Sequence, residues 1–160
     1  MSYDGGILKN PDGPMRLLSP VQPALRKLLV MLCLLMLAGT AVASRKSDAL
    51  TRLQYDFSGA VRWGDFEGAW NLIDPKVRDE RPVTDLEFER YKQVQITSYH
   101  DKGASADLKA GTAVREIEIG VVNRYTLAER TVRYREVWRW DAEAKTWWVT
   151  SGLPDLWAGQ

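Results

Sequence analysis

An uncharged segment near the N-terminus constrains this chain more than any other feature. Residues 28–43 read LLVMLCLLMLAGTAVA, and the basic pair Arg26 and Lys27 stands directly before them. The segment is apolar on every side, so it lacks the polar face with which a helix of a soluble domain meets water. It predicts a protein of the bacterial cell envelope whose domain faces the periplasm. The segment either directs export of the domain or anchors it in the membrane.

Two interpretations of the segment remain open. A secretory signal has a basic start, a short apolar stretch and an A-x-A cleavage site, and Ala41-Val42-Ala43 before Ser44 fits that pattern. A membrane-spanning helix needs about 20 apolar residues, although snorkelling of the flanking Arg and Lys residues can extend a shorter one. The sequence therefore predicts either a cleaved signal peptide or a retained membrane anchor.

The residues around the segment complete the division of the chain. Residues 1–27 combine a Gly-, Pro- and Asp-rich stretch, which predicts disorder, with a basic region that begins at Met15, an alternative start to Met1. Thr40 stands where a bacterial lipoprotein signal requires a cysteine, so lipidation is excluded. Residues 44–160 then form a single domain of ordinary size.

The composition of residues 44–160 excludes some classes of function. Four of the 22 basic and two of the 21 acidic residues precede Ser44, which leaves 18 basic and 19 acidic residues in the domain. A nearly neutral domain offers no electrostatic attraction for nucleic acid. The single cysteine, Cys33, lies in the hydrophobic segment, so the domain has no disulfide and no cysteine-based metal site.

Helical periodicity predicts the first part of the domain. Apolar residues at helical spacing predict a helix over 47–63, with Ser47 as N-cap and Gly64 as the glycine that ends it. Asp65 caps a second helix, which Asp74-Pro75 ends.

A short third helix follows a polar stretch. Residues 76–83 (KVRDERPV) are a polar stretch for which no helix or strand is predicted. Thr84 and Glu87 form a capping box, which opens a helix that ends at about Lys92.

The pattern then changes to the alternation of strands. We expect strands over 94–102, 115–121, 132–140 and 147–151, with 103–111 as a loop after the first. The fold class is therefore α+β, with N-terminal helices packed on a curved four-stranded antiparallel sheet.

Charge and apolar pairing predict the register of the second and third strands, with a turn centred on Tyr125-Thr126. Two opposite-charge pairs then share the outer face and two apolar pairs the inner face, and a slip of one residue would set Ile against Arg. The pairs are Glu118 with Arg133, Glu116 with Arg135, Ile119 with Val132, and Ile117 with Tyr134.

The layout over 47–157 resembles the nuclear-transport-factor-like, or cystatin-like, superfamily, which includes SnoaL-like cyclases and ketosteroid isomerase. The resemblance rests on a long helix, the helix–helix corner Val61–Asp74 (VRWGDFEGAWNLID) and four strands that end in a Trp-rich hairpin. It implies a cone-shaped domain. Members include enzymes, receptors and assembly proteins of type IV secretion that hang from one membrane helix, but the Asn-Pro-x-Gly signature of the last group is absent here. No motif carries over the catalytic carboxylates and histidines of the enzymes.

Glu136 is the strongest candidate for chemistry. It lies in an apolar row with Tyr134 and Trp138, where burial would raise the pKa of its carboxyl and suit it to general acid or base catalysis. The predicted register also sets Arg115 opposite Glu136, so a structural ion pair is the competing interpretation. If the row lines a ligand pocket, Tyr55 on the first helix could face the same pocket, or simply solvent.

The remaining candidates are weaker. His100, the single histidine, ends a strand and could act in catalysis or simply face solvent; it lacks the partners that a metal site requires. Asp56 could face a pocket or solvent. Arg133, Arg135 and Arg139 alternate with aromatic residues, as in single-strand nucleic-acid platforms, but strand alternation separates the two types onto opposite faces.

These observations predict a non-catalytic binding or assembly module that contacts another envelope protein or a membrane complex. The alternative is an isomerase- or cyclase-like enzyme, or a small-molecule receptor, with its pocket around Glu136. No sequence motif indicates a cofactor, a metal or nucleic acid. The ligand, the partner and the oligomeric state are left open.

Overall fold

The computed structural model of the chain describes residues 23–158, and for 23–26 and 28–43 it describes the backbone alone. Most of the predicted disordered and basic start (1–27) and the side chains of the predicted signal or anchor segment (28–43) therefore lie outside the described residues. Of the helices described with their side chains, none has the length and apolarity needed to cross a membrane. The chain divides into two units, and the second, Ala38–Gln160, contains the folded domain.

Four helices precede four strands, and the fold class is α+β. The sheet is open and antiparallel, with the strands in sequence order. The elements are α1 (Pro23–Trp63), α2 (Phe66–Trp70), α3 (Pro75–Glu80), α4 (Asp85–Tyr91), β1 (Val94–Asp107), β2 (Thr112–Asn123), β3 (Glu129–Asp141) and β4 (Thr146–Val149).

The predicted end of α1 is confirmed and its predicted start is wrong. The helix ends at Trp63, and Gly64 follows with a φ of 75°, a left-handed conformation that glycine adopts without steric cost. Ser47 does not cap the helix, because the helical backbone begins at Pro23 and continues through it. Its carbonyl instead accepts a hydrogen bond from the Thr51 hydroxyl at 3.1 Å.

Asp65 caps α2 as predicted, with its carboxylate accepting a hydrogen bond from the Gly68 N–H at 2.8 Å. The helix is shorter than expected and ends at Trp70. Ile73 forms a parallel bridge with Val149 of β4. This pairing draws the chain into the sheet edge before the helix can continue.

The stretch 76–83 contains a helix that the sequence analysis missed. Asp74 caps α3 by accepting a hydrogen bond from the Lys76 N–H at 3.0 Å, and proline occupies the first turn, where its missing N–H is no loss. The capping box of Thr84 and Glu87 is confirmed at the start of α4.

The predicted register of β2 and β3 is confirmed for all four pairs, and Arg115 lies opposite Glu136. The predicted loop 103–111 is wrong in part, because β1 continues to Asp107. The hairpin closes more tightly than expected. The Asp107 carboxylate accepts hydrogen bonds from the Lys109 and Ala110 N–H groups, and Gly111 adopts a φ of 72°.

The core lies between α1 and one face of the sheet. Phe57 and Val61 of α1 are fully buried, as are Ile119 of β2 and Trp138 of β3. The Phe57 and Trp138 rings meet edge to face with centroids 6.0 Å apart, a favoured geometry for aromatic pairs. The same face carries Glu136, so the fold places this carboxylate inside the core.

Candidate functional site

Glu136 is fully buried on β3, and both of its carboxylate oxygens accept hydrogen bonds. The Tyr99 hydroxyl of β1 donates to Oε2 at 2.7 Å. Arg115 Nη1 of β2 and Trp138 Nε1 of β3 donate to Oε1 at 3.2 and 2.5 Å. Three strands thus converge on one carboxylate through three fixed donors.

Arg115 extends this network to the helix. Its Nε donates to the Asp101 carboxylate at 2.9 Å, and its Nη1 donates to the Ser58 hydroxyl of α1 at 3.2 Å. Only 12% of the Arg115 side chain is exposed, whereas 42% of Asp101 is exposed. The guanidinium therefore links a buried acid, a surface acid and α1.

Burial raises the pKa of the Glu136 carboxyl above its ordinary value. Arg115 and the hydrogen bonds from Tyr99 and Trp138 oppose that rise without cancelling it. Burial also raises the pKa of the hydroxyls of Tyr99 and Tyr134, so both stay protonated. A protonated Tyr99 is a permanent donor to Glu136.

The arrangement holds the sheet against the helix and leaves Glu136 without access to a substrate. A general acid or base must come within hydrogen-bond reach of the proton that it transfers. Glu136 and Trp138 have no exposed surface. A ligand could reach the carboxylate only by displacing core side chains.

The structure brings together four of the five residues predicted to line a pocket. Tyr134, Glu136, Trp138 and Arg115 share the inner face of the sheet, whereas Tyr55 is 79% exposed on α1. They are packed into the core, and the Tyr134 hydroxyl donates to the carbonyl of Gly152 at 2.7 Å.

His100 and Asp56 lie elsewhere, and both are exposed. His100 pairs with Glu118 across β1 and β2, on a different row from Glu136. Among the residues described with side chains, no three His, Cys, Asp or Glu residues converge as metal ligands would.

The arginines of β3 differ in their partners. Arg135 pairs with Glu116 at 3.0 Å, as predicted. Glu118 lies opposite Arg133 in the register as predicted, but its carboxylate forms an ion pair with the Lys102 ammonium at 3.4 Å.

Arg139 forms an ion pair that the sequence analysis missed. It donates from Nε and Nη2 to one oxygen of the nearly buried Asp74, at 2.8 and 2.6 Å. These hydrogen bonds raise the pKa of the Arg139 guanidinium. The pair links the N-cap of α3 to the outer face of the sheet. Because the two residues lie 65 positions apart in the sequence, only the tertiary fold places them side by side.

A surface cleft of about 420 Å³ lies between the helices α2–α4 and the segment 150–153 that follows β4. We refer to it as the α3–α4 cleft. Its lining residues are Trp70, Val77, Glu80, Arg81, Pro82, Val83, Glu87, Tyr91, Thr150, Ser151, Gly152 and Leu153. The sequence does not predict this cleft, because its pattern predicts no helix at α3 and predicts a strand over 147–151.

The floor of the α3–α4 cleft is held in place by side chains from the core. The Ser151 hydroxyl accepts a hydrogen bond from the Val137 N–H at 3.2 Å and lies 2.9 Å from the Tyr134 hydroxyl. The Tyr91 hydroxyl donates to the carbonyl of Pro154 at 3.0 Å. The backbone over 150–154 is thus fixed although it belongs to no strand or helix.

No protein-family model matches this chain, and no curated protein matches it. Among solved structures, a SEC-C motif-containing protein from Rhodopseudomonas palustris is similar over 59% of this chain and 70% of its own length. The identity is 17% and the TM-score 0.48. A likeness of this degree defines neither the fold family nor the function.

Proposed function

We propose that this chain is a non-catalytic binding or assembly module of the bacterial cell envelope, with its domain in the periplasm. We further propose that the domain is a cystatin-like cone. The α+β order, with α1 packed on one face of a four-stranded antiparallel sheet, supports that layout. The observation that carries the functional proposal is the closed environment of Glu136.

Glu136 supports a structural role because its hydrogen-bonding capacity is met from inside the protein. Three donors bind its two oxygens, and none of its surface reaches solvent. The candidate that would have made this domain an enzyme is therefore part of the scaffold. Arg115 and Asp101, the charged residues at the edge of the hydrogen-bond network around Glu136, pair with each other.

The envelope location rests on residues 28–43, and the contacts at the start of the domain are compatible with both interpretations of that segment. The Trp147 indole Nε1 donates to the carbonyl of Lys46 at 2.9 Å, and the Lys46 ammonium lies 5.0 Å from the centre of the Trp140 ring. Trp147 and Trp140 of the sheet thus contact the chain at Lys46, two residues after Ser44. Cleavage before Ser44 or retention of the segment would both leave these contacts intact.

The α3–α4 cleft is the surface that supports a binding role. Its volume falls within the range of about 300–1,000 Å³ typical of ligand sites. It combines apolar walls, including Trp70 and Leu153, with the charged residues Glu80 and Arg81. Glu136 is not part of it, so binding there requires no change in the core.

The test is photo-crosslinking in intact cells of the host. A photoreactive residue at position 83, in the α3–α4 cleft, should give an adduct with a discrete envelope protein. The same residue at exposed position 133, on the outer face of the sheet, is the matched control. Glu136→Gln should leave the adduct unchanged if Glu136 is structural.

Cell fractionation with intact-mass measurement tests the location. A species in the periplasm or in the membrane fraction supports the proposal, and the mass shows whether 28–43 is retained. A chain recovered only from the cytoplasm contradicts the location. Turnover of a small molecule that Glu136→Gln abolishes in a stably folded protein would overturn the non-catalytic role.

A further inference from the structure

We propose that the α3–α4 cleft binds the C-terminal carboxylate of a partner protein whose last residue is apolar and is preceded by basic residues. This inference rests on the binding function proposed above and specifies its ligand. It is carried by three features of the cleft: unpaired backbone donors, apolar walls and a mixed set of charges.

The donors are three consecutive backbone N–H groups. Those of Ser151, Gly152 and Leu153 have no acceptor among the described residues, and all three residues line the cleft. Gly152 is left-handed, with a φ of 76°. Successive N–H groups at such a turn form a concave site that favours anions, including chain-terminal carboxylates.

These donors are preorganised. The Tyr134 hydroxyl holds the Gly152 carbonyl from the core, and the Tyr91 hydroxyl holds the next carbonyl but one, that of Pro154. A ligand that binds this backbone does not have to order it, which removes part of the entropic cost of association.

A cation and apolar walls lie in the same cleft. Arg81, at the end of α3, is exposed and can add its planar fork of donors to a carboxylate. Trp70, Val77 and Leu153 supply apolar surface. A cleft of about 420 Å³ admits one large apolar side chain together with its carboxylate.

The acidic residues of the cleft select a peptide over a free anion. Glu80 and Glu87 are both exposed in the cleft. Hydrogen bonds from Thr84 lower the pKa of the Glu87 carboxyl, so it stays charged. These carboxylates repel a small isolated anion but attract basic residues that precede a terminal carboxylate. The charges therefore complement a basic chain end with an apolar last residue.

The experiment is an NMR titration of the ¹⁵N-labelled full-length chain in mild detergent. The probe is the peptide acetyl-Lys-Lys-Ala-Phe with a free carboxylate, and the matched control is the same peptide with a C-terminal amide. The free acid should shift the amide resonances of Ser151, Gly152 and Leu153, while that of Gly64, a left-handed glycine outside the cleft, stays in place. The amide should bind at least about tenfold more weakly, because charge-assisted hydrogen bonds are lost.

Two variants test the role of charge. Arg81→Gln should weaken binding of the free-acid peptide by roughly threefold to tenfold. Arg78→Gln, on the same helix but outside the cleft lining, should bind as the wild type does. Equal melting temperatures for both variants would show that folding is unaffected.

Three results would overturn the inference. One is an absence of shifts at residues 151–153 with the free acid, and another is equal binding of acid and amide. The third is binding of N-acetylphenylalanine as tight as that of the free-acid peptide, which would mean that the cleft recognises a small carboxylate and not a basic chain end. A persistent crosslink from position 83 alongside any of these would leave the binding function standing and remove only this ligand.

Discussion

Arg115→Met should destabilise the domain strongly, because it leaves Glu136 as a buried charge without its cationic partner. The side chain of Arg115 is 12% exposed and that of Glu136 is not exposed at all. Removal of one partner from a buried ion pair costs about 3–5 kcal/mol. Loss of the contact with the more exposed Asp101 adds at most about 1 kcal/mol. We therefore expect the free energy of unfolding to fall by about 3–6 kcal/mol at neutral pH.

The size of this loss should depend on pH in a defined direction. The folded pKa of Glu136 already lies above its ordinary value of 4.5. Its folded form therefore binds a proton more readily than its unfolded form. The stability that it contributes is fully present below pH 4.5 and is lost as the pH rises through the folded pKa. Without Arg115 the folded pKa rises further, so the defect of Arg115→Met should shrink as the pH falls toward 4.5.

The assay is urea unfolding of the full-length chain in mild detergent, followed by tryptophan fluorescence over a range of pH. Glu136→Gln alone should be milder than Arg115→Met, because Arg115 keeps Asp101 as a partner and glutamine keeps an acceptor oxygen. The double variant should be more stable than Arg115→Met alone, since it no longer buries an uncompensated charge. A loss under about 1 kcal/mol for Arg115→Met, or one that is equal at every pH, would refute this account.

Three further substitutions probe backbone and surface contacts, each by its shift in unfolding midpoint. Gly111→Ala should cost about 1–3 kcal/mol, because the glycine is left-handed and an added Cβ would lie 2.9 Å from the Cβ of Trp140; an unchanged midpoint would contradict this. Asp74→Ala should cost about 2–4 kcal/mol, since it removes the cap of α3 and the partner of Arg139; a loss no larger than that of Arg139→Ala would argue against the cap. Leu127→Asn should stabilise by up to about 1 kcal/mol, because Leu127 is exposed at a φ of 58°; destabilisation would indicate that the leucine packs on something.

The register of β2 and β3 shows how much of the sheet could be predicted. Alternation and charge pairing placed Glu116 against Arg135 and Arg115 against Glu136, and both pairs are confirmed. The helix caps predicted at Asp65 and Thr84 are confirmed as well. Each depends on residues a few positions apart or on one strand pair, so local geometry is enough to define it.

The three donors around Glu136 could be predicted only in part. Arg115 followed from the register, and Trp138 lies two residues away on the same strand. Tyr99 did not follow, because the first strand carries register shifts against the second, which the alternation pattern does not reveal. Without the Tyr99 hydroxyl, the sequence does not show that both oxygens of the Glu136 carboxylate accept hydrogen bonds from inside the protein.

The sequence by itself determined the α+β fold class, the register of β2 and β3 and the ion pair at the centre of the sheet, because periodicity and nearest neighbours define these features. Only the tertiary structure decided that a cleft opens beside residues 150–153 and that Asp74 pairs with Arg139. These depend on contacts between distant parts of the chain. The pair of Asp74 and Arg139, for example, joins residues 65 positions apart. No local pattern specifies such a contact, because it exists only once helix and sheet have packed.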